Sequence, residues 1–312
     1  MAPLGRLTRA GRYSAAALTT VFTLAAGLPG VSGSAGQPPS TVSRTGMVVS
    51  ASGPKIPTAK PVFTPTPVHP ERITHPRADY MGAVNRAHAR WGHDPSIPSR
   101  SWTVPQLPGI DISAYQGNIN WASVAPAIDF VYAKATEGTY YTNPDFYNQY
   151  VGPYNRGVIR GAYHFAIPGN STGQAQADFF IKHGGGWSSD GLTLPGALDI
   201  EYNPYGRECY GLTHAQMVAW VWNFVREYAY KEHAYPVIYS TTDWWSTCTG
   251  NYGGFGNYDP LWIARYATAP GTLPNGWGFD TFWQYASGGR LPGDQDVFNG
   301  AYSRLKTLAI DG

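Results

Sequence analysis

From Leu107 onward the sequence keeps one rhythm: a short apolar run, an amphipathic or polar stretch, then another apolar run. The runs are GIDIS (109–113), DFVYAKATEG (129–138), IRGAYHFA (159–166), GALDIEY (196–202), YPVIYST (235–241), PLWIARY (260–266), TFWQYA (281–286) and DQDVF (294–298). Runs of this length, rich in β-branched and aromatic residues, read as strands. Between the early ones lie helix candidates, the strongest being THAQMVAWVWNFVREYAYKEH. There Thr213 is placed to cap the start, and apolar residues recur at 217, 218, 221, 224, 225 and 228. Strands alternating with helices predict parallel strands and crossover connections. Eight of them predict an α/β fold: an irregular (β/α) barrel resembling a TIM barrel, irregular because helix signals fade in the second half. The rival, a doubly wound open sheet, would follow its first strand with a Gly-rich phosphate loop. This first strand runs into SAYQGNINW, which is no such loop.

The region before this rhythm is a different object. Up to Leu107 the chain holds 11 Lys+Arg against 3 Asp+Glu, and beyond it 11 against 17. Residues 1–35 read as a secretory signal peptide: Arg6, Arg9 and Arg12 precede an apolar Ser14–Leu28 stretch, and Gly33-Ser34-Ala35 offers small residues for cleavage. Residues 36–107 read as a Pro/Ser/Thr-rich linker or pro-region in extended conformations, with a weakly helical pattern over 77–91. The domain from 108 to 312 would be the barrel. The apolar leader is too short for a membrane span, and the acidic barrel half lacks the basic stripe of a nucleic-acid footprint. A secreted, soluble monomer is expected, with no membrane or nucleic-acid partner. In an exported chain the two cysteines, Cys209 and Cys248, suggest a disulfide between loops at one end of the sheet.

The stretch LPGALDIEYNPYG (194–206) carries the sharpest functional signal. On a strand, residues two apart share a face. Leu198 and Ile200 then point one way, and Asp199 and Glu201 the other. Two neighbouring acids on one face destabilise a fold that makes no use of them. Barrel active sites form at the C-terminal ends of the strands, and other polar residues fall at such ends: Asp111, Lys134, Glu137, Tyr163, His164, Arg265, Trp283 and Tyr285, with Asp294 and Asp296 in the last run. A funnel of carboxylates with aromatic walls suits glycoside hydrolysis, which needs one acid to protonate the leaving oxygen and a second group to stabilise positive charge at the anomeric carbon. No His-x-x-Glu-His spacing suggests a metal, no G-x-S-x-G elbow suggests a serine nucleophile, and no cofactor is expected.

These motifs also occur in the order of a known family. DISAYQG (111–117), FVYAKATEGTYYTN (130–143), the GAYHF of the third run, the DIE of the fourth, the WQY of the seventh and DQDVFNG (294–300) make the chain from Gly109 resemble the Chalaropsis-type lysozymes, glycoside hydrolase family 25. The resemblance implies an N-acetylmuramidase acting on peptidoglycan glycan strands. It implies Glu201 as general acid and later base, Asp199 as its electrostatic partner or as the group orienting a substrate acetamido, and Asp111 and Asp294 as further acids of the cleft. The family pattern favours Asp294 over Asp296. Tyr163, Tyr202, Trp283, Tyr285 and Glu137 become candidate sugar-binding residues. Two alternatives stay open from the residues themselves. One is a chitinase-like or endo-N-acetylglucosaminidase barrel, though the longer D-x-x-D-x-D-x-E pattern is absent. The other is a non-catalytic wall-binding module.

Overall fold

The computed structural model describes Thr58 and residues 72–77, 79–85 and 106–312. The signal peptide expected over 1–35 lies outside the described residues, as does most of the region 36–107. In chain order the elements are β1 (Leu107–Ile112), α1 (Trp121–Val124), β2 (Phe130–Glu137), β3 (Tyr141–Thr142), α2 (Phe146–Tyr154), β4 (Ile159–Phe165), α3 (Gly173–Phe180) and β5 (Ala197–Asp199). Then follow α4 (His214–Glu232), β6 (Val237–Ser240), α5 (Thr242–Thr249), β7 (Leu261–Ala264), β8 (Phe282–Ala286), β9 (Asp294–Phe298) and α6 (Tyr302–Asp311).

The strands are ordered β1-β9-β8-β7-β6-β5-β4-β2, and β1 also pairs with β2, so eight strands close into a barrel. The short β3 hangs from β2 as a hairpin arm outside the ring. Every expected strand is present, in order. One direction differs from expectation: β9 runs antiparallel to both its neighbours, β8 and β1. Only residues 287–293 separate β8 from β9. A parallel crossover needs a dozen residues or more, so the chain can only turn back.

The barrel has an apolar inside and an apolar outside. Phe130, Tyr132, Ala197, Val237, Tyr239, Trp262, Phe282 and Phe298 fill the lower lumen. Their rings touch: Tyr132 and Trp262 centroids are 4.8 Å apart, Phe130 and Phe282 5.1 Å, Phe282 and Phe298 5.3 Å. Glycine makes room for them; a Cβ on Gly161 would run into the Tyr132 ring. The barrel is therefore a plugged cup with an aromatic floor, and no water passes through it. Outside, Leu198 and Ile200 face the helix layer as their spacing implies, packing with Phe180, Trp220, Phe224 and Tyr228. Helix α4 supplies most of that layer. Thr213 caps it, with Gln216 completing a capping box, a device that stabilises by about 1 kcal/mol. Burying each large side chain of this face contributes roughly 1.5–3 kcal/mol.

Cys209 and Cys248 form a disulfide with Cα atoms 5.3 Å apart. Cys209 lies in the loop after β5, but Cys248 sits within α5 rather than in a loop. The bridge ties residues 39 apart, a closure that by chain entropy stabilises by about 4 kcal/mol.

Candidate active site

The mouth of the cup is lined by acids, and strand parity explains how each arrives. Along β5 and the residue pair after it, Asp199 and Glu201 continue the inward face that Ala197 begins. Both are fully buried. Asp111 ends β1 on the inward face, between outward-facing Ile110 and Ile112. The reversed β9 has its first residue at the mouth, where Asp294 stands opposite Asp111 in the ladder. Asp296, two residues deeper, stands opposite Gly109 and accepts a hydrogen bond from the Trp262 indole at 3.0 Å. The structure thus brings together Asp111, Asp199, Glu201 and Asp294, and adds Asp296 beneath them.

Gln284 organises one side of this group. Its amide nitrogen donates to Asp111 Oδ2 at 2.7 Å. Its carbonyl oxygen accepts from the Tyr239 hydroxyl at 2.7 Å and from Tyr266 at 3.0 Å, which fixes the amide's orientation. Tyr266 was expected at the end of its strand, but neither Gln284 nor Tyr239 was singled out from sequence. Parity along TFWQYA could have found Gln284, because Trp283 and Gln284 cannot both face the lumen. The structure turns Gln284 inward and Trp283 outward. Trp283 is 1% exposed in the outer core, with its indole N–H on the Arg265 carbonyl. Tyr285, at the slip between β8 and β9, packs partly against that same outer core. Neither aromatic lies with the acids. His164 also faces outward. It stacks on Phe224 between Thr136 and Gln176, and burial holds its pKa down to about 3.

A bulge in β2 builds the opposite wall. The ladder with β4 slips between Lys134 and Thr136. Lys134 and Glu137, three apart, would face opposite ways on a regular strand. Here they meet at 2.6 Å, with side chains 1% and 0% exposed. Glu137 also accepts from the Tyr140 and Tyr205 hydroxyls. Tyr163 points into the lumen from β4, and the Tyr202 hydroxyl donates a hydrogen bond to Asp243 at 2.6 Å. Tyr202, Asp243, Arg265 and Tyr266 border a cleft of about 450 Å³ beside the mouth.

The electrostatics follow from the dry floor. Burial penalises charge on Asp111, Asp199, Glu201 and Asp296. It lifts Asp111 to about 7, against the pull of the Gln284 amide, and Glu201 to about 8. Asp199 and Asp296 rise well above the carboxylate range, burial first and the neighbouring acid second. Both oxygens of Asp199 and Oε2 of Glu201 find no donor outside the pair. Buried carboxyls left so favour the neutral form, in which a carboxyl can itself donate. The Gly82 backbone N–H donates to Glu201 Oε1 at 2.6 Å. That donor opposes the effect of burial, so Glu201 loses its proton before Asp199 as pH rises.

These shifts set the pH dependence of stability. Between an ordinary carboxylate pKa near 4 and values of about 7 and 8, the folded chain holds protons that the unfolded chain has lost. Stability therefore falls as pH rises through that window. His164 works the other way, but only below its unfolded pKa of about 6.5. From pH 6.5 to 8 the melting temperature is expected to drop, and Glu201→Gln is expected to flatten the drop. Scanning calorimetry across that range checks both; a melting temperature that is level or rising contradicts the assignment.

The comparisons agree with this geometry. Residues 110–294 match the family described as glycosyl hydrolases family 25. The chain is 50% identical over 206 residues to an N,O-diacetylmuramidase of Chalaropsis sp, covering 64% of this chain and 98% of that protein. It is 44% identical over 247 residues to Lysozyme M1 of Streptomyces globisporus, covering 77% of this chain and 84% of that one. A solved muramidase structure from Acremonium alcalophilum superposes with a TM-score of 0.65 at 55% identity, covering 66% of this chain and all of its own. The Streptomyces match thus reaches into the region before the barrel, whereas the solved muramidase is the length of the barrel alone. With its match spanning more than half of the sequence, the chain belongs to glycosyl hydrolase family 25.

Proposed function

We propose that the protein is an exported muramidase that hydrolyses the β-1,4 bond between N-acetylmuramic acid and N-acetylglucosamine in peptidoglycan. The observation that carries this reading is the fully buried Asp199–Glu201 pair at the barrel mouth, two carboxyls on one strand face with three of their four oxygens unpartnered. Glu201 in its acid form gives a proton to the glycosidic oxygen as that bond breaks. Asp199, as its carboxylate, opposes the positive charge that grows at the anomeric carbon or orients the substrate's acetamido group. Water then adds to the anomeric carbon and returns a proton to Glu201. Asp111 and Asp294 complete the acid ring, and Gln284 holds Asp111 in place. Tyr163 in the lumen and Tyr202 at the cleft are the aromatic side chains placed to meet sugar rings. The positively charged, then apolar, first 35 residues support export.

The bond cleaved is read from the new reducing ends. Digested peptidoglycan reduced with borohydride is expected to yield muramitol. Glucosaminitol instead would replace this reading with an N-acetylglucosaminidase.

A further inference from the structure

The stretch read from sequence as a linker or pro-region is packed against the barrel mouth at residues 79–85. Met81 is fully buried in the lumen cluster with Tyr163 and Tyr239, while Asp79 and Asn85 are 3% and 6% exposed. Backbone groups of Met81 and Gly82 touch the site residues directly. The Gly82 N–H donates to Glu201, and the Met81 N–H donates to the Tyr163 hydroxyl at 3.2 Å. The Gly82 carbonyl accepts from Tyr266 at 3.3 Å, and the Met81 carbonyl from Gln284 at 3.4 Å. Lys134 spends its two N–H donors left over from Glu137 on the carbonyls of Pro76 and Asp79. Farther out, Arg77 pairs with Asp145 and His75 packs edge-on against Tyr205.

Gly82 is the residue that lets this segment descend. Its φ of +82° lies in the left-handed region, and a Cβ there would collide with the Tyr266 hydroxyl and stand 2.8 Å from Gln284 Oε1. Both constraints demand glycine. Among the hydrogen-bonding partners of the segment are Glu201, Lys134, Tyr163 and Gln284, groups that a glycan would need. We propose that residues 72–77 and 79–85 belong to a built-in inhibitor: a piece of the chain's own N-terminal region that occupies the glycan-binding mouth and covers Glu201 until it is removed. This rests on the muramidase reading of the same site.

Inhibition here has two parts. A sugar ring cannot enter a lumen already filled by Met81. The Gly82 N–H also occupies Glu201 Oε1, so the carboxyl that must meet the leaving oxygen is already engaged. Tethering makes the block effective, because a linked segment meets its seat at a local concentration on the order of millimolar. Cutting the chain between the segment and β1 abolishes that advantage. Arg86, Arg90 and Arg100 stand in that interval as targets for a trypsin-like protease.

The test compares three preparations: the intact chain, the chain after limited trypsin digestion, and intact Gly82→Ala. Release of soluble fragments from peptidoglycan is expected to be at least tenfold faster for the cut and variant chains. Retention on insoluble peptidoglycan is expected to strengthen in the same two. In the intact chain the amides of Met81 and Gly82 are expected to resist hydrogen exchange, and in Gly82→Ala the amide of Met81 should exchange as in open chain. Equal cleavage and equal retention in all three, or fast exchange at residues 81 and 82 of the intact chain, overturns the proposal. If retention and exchange follow expectation but no preparation cleaves glycan, the inhibitor stands and the muramidase reading falls.

Discussion

Glu201→Gln is expected to lower peptidoglycan cleavage by about a thousandfold, within the range that general acid–base groups contribute. The loss corresponds to roughly 4 kcal/mol of transition-state stabilisation. Glutamine keeps the shape and still accepts the Gly82 N–H, but it has no proton to give the leaving oxygen. The fold should gain rather than suffer. A glutamine amide can donate to Asp199, whose two oxygens lack any donor outside the pair, and one of two repelling acids is gone. The variant should therefore melt higher than the parent at pH 8 while being nearly inactive. Opposite movements of stability and activity are the mark of a site kept strained for function. Rates on the trypsin-cut chain, set beside calorimetry, measure both. Cleavage near the parent rate would remove Glu201 from the chemistry, and a lower melting temperature would contradict the buried repulsion.

Lys134→Met should be the most damaging of the single changes to stability, costing about 3–5 kcal/mol, the usual penalty for orphaning one member of a buried ion pair. Its ammonium is 1% exposed against a fully buried Glu137. Methionine fills the space but leaves the carboxylate with only the Tyr140 and Tyr205 hydroxyls. The double variant Lys134→Met/Glu137→Gln should recover most of the loss, because no uncompensated charge remains. Urea denaturation of the four chains in a double-mutant cycle gives the coupling. A single-variant cost below about 1 kcal/mol would mean that water reaches the pair.

Most of the barrel strands could be read from sequence because they are compact apolar runs; DQDVF, with three polar residues in five, was read from its place in the series. The Asp199–Glu201 pair could be read because strand parity leaves few options for residues two apart. What escaped depends on partners rather than on the segment itself. The bulge that turns Glu137 toward Lys134 exists only as a slip against β4. The direction of β9 was legible in the short span 287–293, had connection length been weighed above the repeating pattern. Trp283 was misleading because aromatic character suggested a sugar platform while parity with Gln284 assigned it to the outer core. The seat of residues 79–85 carries almost no local signature, since a lone glycine in a weakly helical stretch does not announce what it lies against.

The reversal of β9 also decides where the chain leaves the barrel. Strand β9 starts at the mouth with Asp294 and ends with Phe298 beside Leu107, at the floor. Helix α6 then runs to Gly312, which rests against Ala234, just ahead of the floor end of β6. A surface anchor, affinity handle or appended targeting module joined to Gly312 would hang from the underside of the cup. A grafted or immobilised version of this protein would present its open face outward, toward an insoluble wall, rather than into its own support.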